Sequence, residues 1–275
     1  MPIRKTERRK GIMKVISLGA GVQSSCLLLM ASKGIIEADQ AVFADTGNER
    51  SSTYEYIEYL KSVSSIPLVI VKNHKKGGGG IVDDLIKCVF DENTWFDGMP
   101  PLWMNDSKGN GQARQQCTGY YKIKPIERYI KASKHAENTM LIGISTDEIH
   151  RANSGKDGKI KREFPLIKLR MNRRDCLNWI KDNGFKMPAK SGCIICPYAT
   201  EQNYKTYSKE EKELLVDIDE IVRSGFAREK KTKNLHRTYF LSHRRKPIKD
   251  ILRQEDSQND LFGEMLGCDS GMCFI

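Results

Sequence analysis

Short apolar runs alternate with longer amphipathic stretches through the first two thirds of the chain. "MKVISL" (13–18) is apolar without a polar face, the pattern of a strand buried on both sides. "VQSSCLLLMASKG" follows it, too long for a strand, and predicts a helix with Gly34 as its stop. "QAVFAD" (40–45) and "PLVIVK" (67–72) predict two more strands. The helix between them carries Tyr56 and Leu60, with Ser52 and Glu55 spaced as a capping box. "TGYYKIKPIERYIKAS" predicts a helix with Pro125 close to its start, and "ENTMLIGI" (137–144) a fourth strand. "NRRDCLNWIKDNG" reads as a helix capped by Asn172 and stopped at Gly184. "YSKEEKELLVDIDEIVRSG" reads as another, with Ser208 and Glu211 as its capping box. Strands alternating with helices predict an α/β fold: an open parallel sheet with helices on both faces.

The unpatterned stretches divide the chain. "KKGGGG" (75–80) reads as a break, and residues 91–116 as a long irregular loop rich in Trp, Pro, Gly and Asn. A polar loop is expected from the fourth strand to about residue 162, and a loop over 186–200 carries "CIIC". The expected organisation is a basic N-terminal arm over 1–12, an α/β domain over 13–200, and a small helical extension over 201–275 that ends in a cysteine-bearing tail. No internal repeat is visible.

Composition narrows the function classes. With 275 residues, 39% of them hydrophobic, the chain can bury a sizeable core. No run approaches the roughly 18 apolar residues of a membrane span, and no secretory apolar stretch follows the basic start. A cytoplasmic protein with no membrane partner is expected. The formal net charge of +11 favours polyanionic partners, tRNA or DNA among them. The basic clusters "RKTERRK", "KDGKIKR", "REKKTK" and "HRRK" read equally well as solvated surface loops. Of the eight cysteines, Cys26, Cys88 and Cys176 fall within helical apolar patterns and read as core. Cys193 and Cys196 lie two residues apart in "GCIICPY", a spacing that lets two thiolates reach one metal centre or form a redox pair.

Candidate chemistry begins at "SLGAGVQSS" (17–25), where small residues join the first strand to the first helix. Backbone N–H groups and a helix N-terminus then face whatever binds, and no bulky side chain blocks its approach. A Walker A loop is excluded, because no lysine lies between Gly19 and Cys26. A dinucleotide fingerprint would use Gly19, Gly21 and Asp45, but its third glycine falls at Ser24.

The same stretch resembles the PP-loop of the ATP pyrophosphatase superfamily, with Ser17, Gly21, Ser24 and Ser25 in place. Ala20 stands where that loop has a glycine, and Gln23 where it has an acid. Four more segments, in order, resemble the phosphoadenosine phosphosulfate (PAPS) reductase-like branch. They are "FADTGNE" (43–49), "RQQCTGYYKIKPIERYI" (114–130), "GISTDEIHRA" (143–152, matching at Gly143, Glu148 and Arg151, with Ser145 in place of an arginine) and "FPLIKLRMNRRDCLNWIKDNGF".

The resemblance implies an adenine nucleotide alpha hydrolase-like fold. It also implies that ATP or a PAPS-like nucleotide binds at Ser17, Gly19, Gly21, Gln23, Ser24, Ser25, Asp45, Thr46, Gly47, Arg114, Gly143, Glu148 and Arg151, with magnesium as a companion ion. Lys122, Cys268 and Cys273 are the expected catalytic residues. Cys117, Cys193 and Cys196, with Cys268 or Cys273, are the expected ligands of a [4Fe–4S] cluster, or of zinc as the alternative. The tail "LGCDSGMCFI" has no glutamate before Cys268 and no histidine after it, so it departs from the Glu-Cys-Gly-x-His type end of sulfonucleotide reductases. The leading expectation is therefore adenylation of a substrate for sulfur transfer, with a nucleic acid as acceptor and a sulfur-donor protein as partner. Sulfonucleotide reduction and non-catalytic nucleic-acid binding with a structural zinc are the alternatives.

Overall fold

The computed structural model describes residues 11–73, 79–94, 97–106, 109–133, 135, 137–152, 160–231 and 237–254. The tail cysteines Cys268 and Cys273, and the basic arm up to residue 10, lie outside the described residues. The chain divides into two compact units, neither continuous in sequence: 1–44, 51–71 and 124–191 form one, and 45–50, 72–123 and 192–275 the other.

The first unit is built on a five-stranded parallel sheet. Its strands are β1 (Ile12–Leu18), β2 (Gln40–Asp45), β3 (Leu68–Lys72), β6 (Glu137–Ile142) and β7 (Ile160–Glu163), in the order β3-β2-β1-β6-β7. β1 lies at the centre, with Ser17 in register with Val42 on one side and Ile142 on the other. Period-two alternation sends its side chains to two cores. Ile16 and Leu18 pack with α1 (Val22–Ser32), α2 (Ser51–Val63) and α6 (Arg173–Asp182) through Leu27, Leu60 and Ile180. Met13 and Val15 pack on the opposite face with Ile126 and Ile130 of α4 (Lys124–Ala132). Helices on both faces explain why the strands read as continuous apolar runs. Cys26 and Cys176 are both fully buried between α1 and α6, as core residues. Among the described residues no helix is long and apolar enough to cross a membrane.

The second unit has its own apolar core. It gathers α3 (Ile81–Phe90), α8 (Lys209–Arg223), α10 (Ile248–Gln254) and a three-stranded antiparallel sheet β5-β4-β8. That sheet corrects the expected irregular loop: β4 (Trp103–Asp106) and β5 (Gly109–Gln112) form a hairpin within 91–116, and β8 (Thr238–Phe240) pairs with β4. The strands are short and polar, so period-two patterning is too weak to announce them. Their third partner arrives from more than a hundred residues away. Cys88 is buried here as expected.

Smaller differences have local reasons. α2 starts at Ser51, so Ser52 lies inside its first turn and not at its cap. The segment 118–123 is a π-helical turn that runs into α4. The polar loop after β6 holds a 3₁₀ turn over 146–151, and β7 follows. The Ser208–Glu211 capping box forms as expected, and the expected cap at Asn172 is closed into a box by Asp175. α5 (Pro165–Lys168), α7 (Glu201–Lys205) and α9 (Ala227–Lys231) are short connecting helices.

Candidate functional site

In the first unit the β1–α1 loop sits at the C-terminal end of the central strand, where open α/β sheets bind ligands. Gly21 occupies the N-cap of α1 in an extended conformation. Among the described residues no side chain caps this helix, and no acid lies in its first turn, so its leading N–H groups are left without a side-chain acceptor. Ser24 staples the loop: its Oγ accepts from Gly19 N at 3.2 Å and donates to Gly21 O at 3.3 Å. Ala20 has a φ of +56°, so the residue that replaces a glycine takes the left-handed conformation glycine favours. Strain held at that position is a feature of ligand-binding loops.

Three segments brace this loop. Gly143, just past β6, comes so close that an added Cβ would lie 2.8 Å from both Cα and N of Ser24. Ser145 and Arg173 hold Gln23 between them. Arg173 Nη1 donates to Gln23 Oε1 at 3.0 Å, and Gln23 Nε2 donates to Ser145 Oγ at 3.4 Å. A guanidinium has no acceptor, so the amide oxygen must be the atom that faces it. Arg173 backbone N–H also donates to Asp147 of the 3₁₀ turn at 3.2 Å. In the same turn, Arg151 Nη1 donates to Glu148 Oε2 at 2.8 Å. Arg151 is buried, yet among the described residues its Nε and Nη2 have no hydrogen-bond partner. A buried guanidinium with two unused donors is unusual in a purely structural role. Burial pushes the Glu148 carboxyl up, and the Arg151 charge pulls against it.

In the second unit two motifs some 145 residues apart lie side by side. Asp45 Oδ1 accepts from Gly47 N at 2.8 Å, closing a turn, and its other oxygen pairs with Lys72 at 2.9 Å. Gly47 has a φ of +76°, and a Cβ there would meet Gly79 O at 2.9 Å, so only glycine fits. Asn48 O accepts from Ile194 N at 2.9 Å, Gly192 O accepts from Arg50 N at 3.2 Å, and Glu49 bridges Cys193. This zipper builds a small polar cluster. Glu49 Oε1 lies 3.0 Å from Thr46 Oγ1, 3.3 Å from Lys122 Nζ and 3.6 Å from Cys193 Sγ. Burial pushes the Cys193 thiol well up, and the Glu49 carboxylate adds to this against the Lys122 charge. Cys196 N–H donates to Cys193 O at 3.2 Å, so "CIIC" is a tight turn.

Of the expected metal ligands, Cys117, Cys193 and Cys196 lie among the described residues, in the second unit. No group of three or more His, Cys, Asp or Glu side chains there is arranged to hold a metal ion. Cys193 Sγ lies beside the buried Glu49 carboxylate, which with burial holds the free thiol's pKa up. The expected further ligands, Cys268 and Cys273, lie outside the described residues. Of the other expected residues, Ser17 and Ser25 are buried along β1 and α1, and Arg114 is exposed on the loop after β5.

Two residues of these clusters escaped the sequence reading. Arg173 is quoted there only within the helix segment that Asn172 caps, and Glu49 only as the last residue of "FADTGNE".

The profile of the phosphoadenosine phosphosulfate reductase domain matches residues 13–188, well over half of the chain. The chain belongs to that family. A solved structure similar to it is the phosphate complex of PAPS reductase from Candida auris, at 16% identity, over 66% of this chain and 80% of that one, with a TM-score of 0.45. At that level the likeness carries no argument. No curated protein matches the chain. Family membership makes it a sulfonucleotide-related PP-loop protein, of a class that takes adenine nucleotides as substrates.

One consequence of the Glu49 cluster can be tested directly. Replacing Glu49 with Gln removes a negative charge beside Cys193, so the thiol pKa falls and more thiolate is present at a given pH. Alkylation of Cys193 by iodoacetamide, followed by peptide mapping at mildly alkaline pH, is expected to run several-fold faster in Glu49→Gln than in the wild type.

Proposed function

We propose that this chain is an enzyme that binds an adenine nucleotide on the β1–α1 loop of its first unit and acts on the sulfur of a sulfonucleotide. One observation carries the reading. The loop of a PAPS reductase-family domain presents an uncapped helix N-terminus, braced by Gln23, Ser24 and Gly143, with the unused donors of buried Arg151 in the same unit. Backbone N–H groups and a guanidinium are suited to phosphate and sulfate oxygens. In this role Ser24 keeps the loop shape and the α1 N-terminus meets anionic charge. Arg151 offers its Nε and Nη2 to an oxygen, and Glu148 holds its third nitrogen.

Reduction of a sulfonucleotide to the nucleotide and sulfite requires two electrons, and a dithiol supplies them as it closes to a disulfide. Cys268 and Cys273 are the candidate thiols of the tail, with thioredoxin-type dithiols as the external reductant. Adenylation of an acceptor for sulfur transfer is the second reading, with tRNA or DNA as the acceptor class and a sulfur-donor protein as partner. The net charge of +11 favours it. A cytoplasmic location fits either reading. A [4Fe–4S] or zinc centre would need ligands from the tail, and metal and sulfide analysis of protein purified without oxygen tests for one.

The deciding experiment is a titration of the purified protein with PAPS, adenosine 3′,5′-bisphosphate and ATP, followed by sulfite release from PAPS in the presence of reduced thioredoxin. Saturable binding with sulfite release, lost on replacing Cys268 or Cys273, is the expected result. Absence of affinity for all three nucleotides overturns the proposal. Binding of ATP with release of pyrophosphate, and no sulfite from PAPS, turns it to adenylation.

A further inference from the structure

The charge arrangement around Gln23 narrows what the loop accepts. We propose that Arg173 is a positioning residue of the loop, which fixes Gln23 so that the nucleotide is bound as a bare anion, without a divalent cation at this position. The inference rests on the nucleotide reading of the β1–α1 loop.

Three observations carry it. The first is the orientation of Gln23. Its oxygen faces Arg173 at 3.0 Å and its amide N–H₂ faces Ser145 at 3.4 Å. An acid here would offer two free oxygens and a negative charge to a metal ion. Gln23 offers a single oxygen, already shared with a cation, and N–H groups that can only donate. A divalent ion at that oxygen would sit against the guanidinium charge and be repelled. The second is that Arg173 is held there independently of any ligand. It is the first residue of α6, its backbone N–H donates to Asp147, and the neighbouring Asn172 closes a capping box with Asp175. The side chain therefore reaches the loop from a fixed base. The third is Arg151, buried in the same unit, whose Nε and Nη2 have no partner among the described residues and can serve as a second cation for a bare anion. Glu148 feels both guanidiniums and the Asp147 carboxylate, so Arg151, Arg173, Asp147 and Glu148 form one group of charges. Such a group meets phosphate or sulfate charge with arginines, which suits an anion arriving without its own metal.

The test is isothermal titration with adenosine 3′,5′-bisphosphate and with ATP, each in EDTA and in magnesium. The proteins are the wild type, Arg173→Met, Arg173→Lys and the double variant Gln23→Glu with Arg173→Met, with thermal unfolding of each. In the wild type, affinity for the bisphosphate is expected to be the same in EDTA and in magnesium. Arg173→Met is expected to weaken it about tenfold or more, the worth of a charge-assisted hydrogen bond. Arg173→Lys keeps the charge without the fork and is expected to recover part of the loss. The double variant is expected to gain a dependence on magnesium, which a purely structural role for Arg173 would not produce. The inference is overturned if the wild type binds about tenfold tighter in magnesium. It is also overturned if Arg173→Met, or Arg173→Lys should the methionine variant not fold, binds as tightly as the wild type. Failure of the wild type to bind either nucleotide is a different result. It removes the loop reading itself, and this inference with it.

Discussion

Gly143→Ala is expected to destabilise the protein by about 3 kcal/mol and to abolish measurable nucleotide binding. The Cβ of an alanine would stand 2.8 Å from the Cα and N of Ser24 and 3.0 Å from the carbonyl carbon of Gln23. All three are backbone atoms, so no rotamer change relieves the overlap. Either β6 withdraws or the start of α1 does, and both are embedded: Leu141 and Leu27 share the same buried core. The two residues that must move are the loop's staple and the residue held by Arg173. Affinity is therefore expected to fail even where the fold survives. Gly119→Ala is the control. Nothing lies within 4 Å of its Cβ position, and its backbone is not in the left-handed region, so it is expected to unfold within about 0.5 kcal/mol of the wild type. Urea unfolding and a nucleotide titration of both variants check the pair. Equal stability and equal affinity for Gly143→Ala would show that the loop tolerates displacement, and would remove the reason for a glycine there.

That close contact also marks how far the sequence could be read. The β1–α1–β2–α2–β3 order was legible, because buried parallel strands are apolar on both faces and their helices carry stops such as Gly34 and Gly184. The cap at Asn172 and the box at Ser208 were legible too, because capping depends on residues a few positions apart. The β4–β5 hairpin and β8 were not. Their pairing joins Trp103 to Phe240, and no local pattern encodes such a partner. The nucleotide loop could be located from its small residues and its place after β1. What Gln23 does could not be, because its partners Ser145 and Arg173 lie about 120 and 150 residues away. The Thr46, Glu49, Lys122 and Cys193 cluster was half visible. Lys122 and Cys193 were singled out as chemistry, but the carboxylate joining them reaches Cys193 through a single backbone bridge. The Cys-x-x-Cys spacing marked Cys193 as chemistry, but it could not announce the Glu49 carboxylate beside it. Spacing reports which groups of one loop can meet, and not what a distant segment brings beside them.

The second large effect is expected in the core of the other unit, at Asp219. This residue of α8 is buried and accepts three hydrogen bonds. They come from Leu241 N at 3.1 Å, just past β8, from Ile248 N at 3.1 Å, at the first residue of α10, and from Arg223 Nε at 3.0 Å. One carboxylate thus joins α8, β8 and α10. Asp219→Ala leaves two buried backbone donors and a guanidinium without their acceptor, and is expected to cost about 3–5 kcal/mol. Asp219→Asn keeps one oxygen but turns an N–H₂ toward the other donor, so its cost should fall between wild type and alanine. The pH dependence separates the charge from the shape. Burial pushes the Asp219 carboxyl up, in spite of the three donors that favour its charged form. Between the ordinary carboxylate range and that raised value, the folded state holds a proton that the unfolded chain has released. Its contribution to stability therefore falls as pH rises through this window. Asparagine does not titrate, so the stability of Asp219→Asn should lack that slope, and the gap between it and wild type should be widest at acidic pH. Denaturant unfolding of the three proteins across the acidic range measures this directly. A cost for alanine below about 1 kcal/mol would mean that the loops on β8 and α10 find other acceptors, and that α8 is held by its apolar face alone.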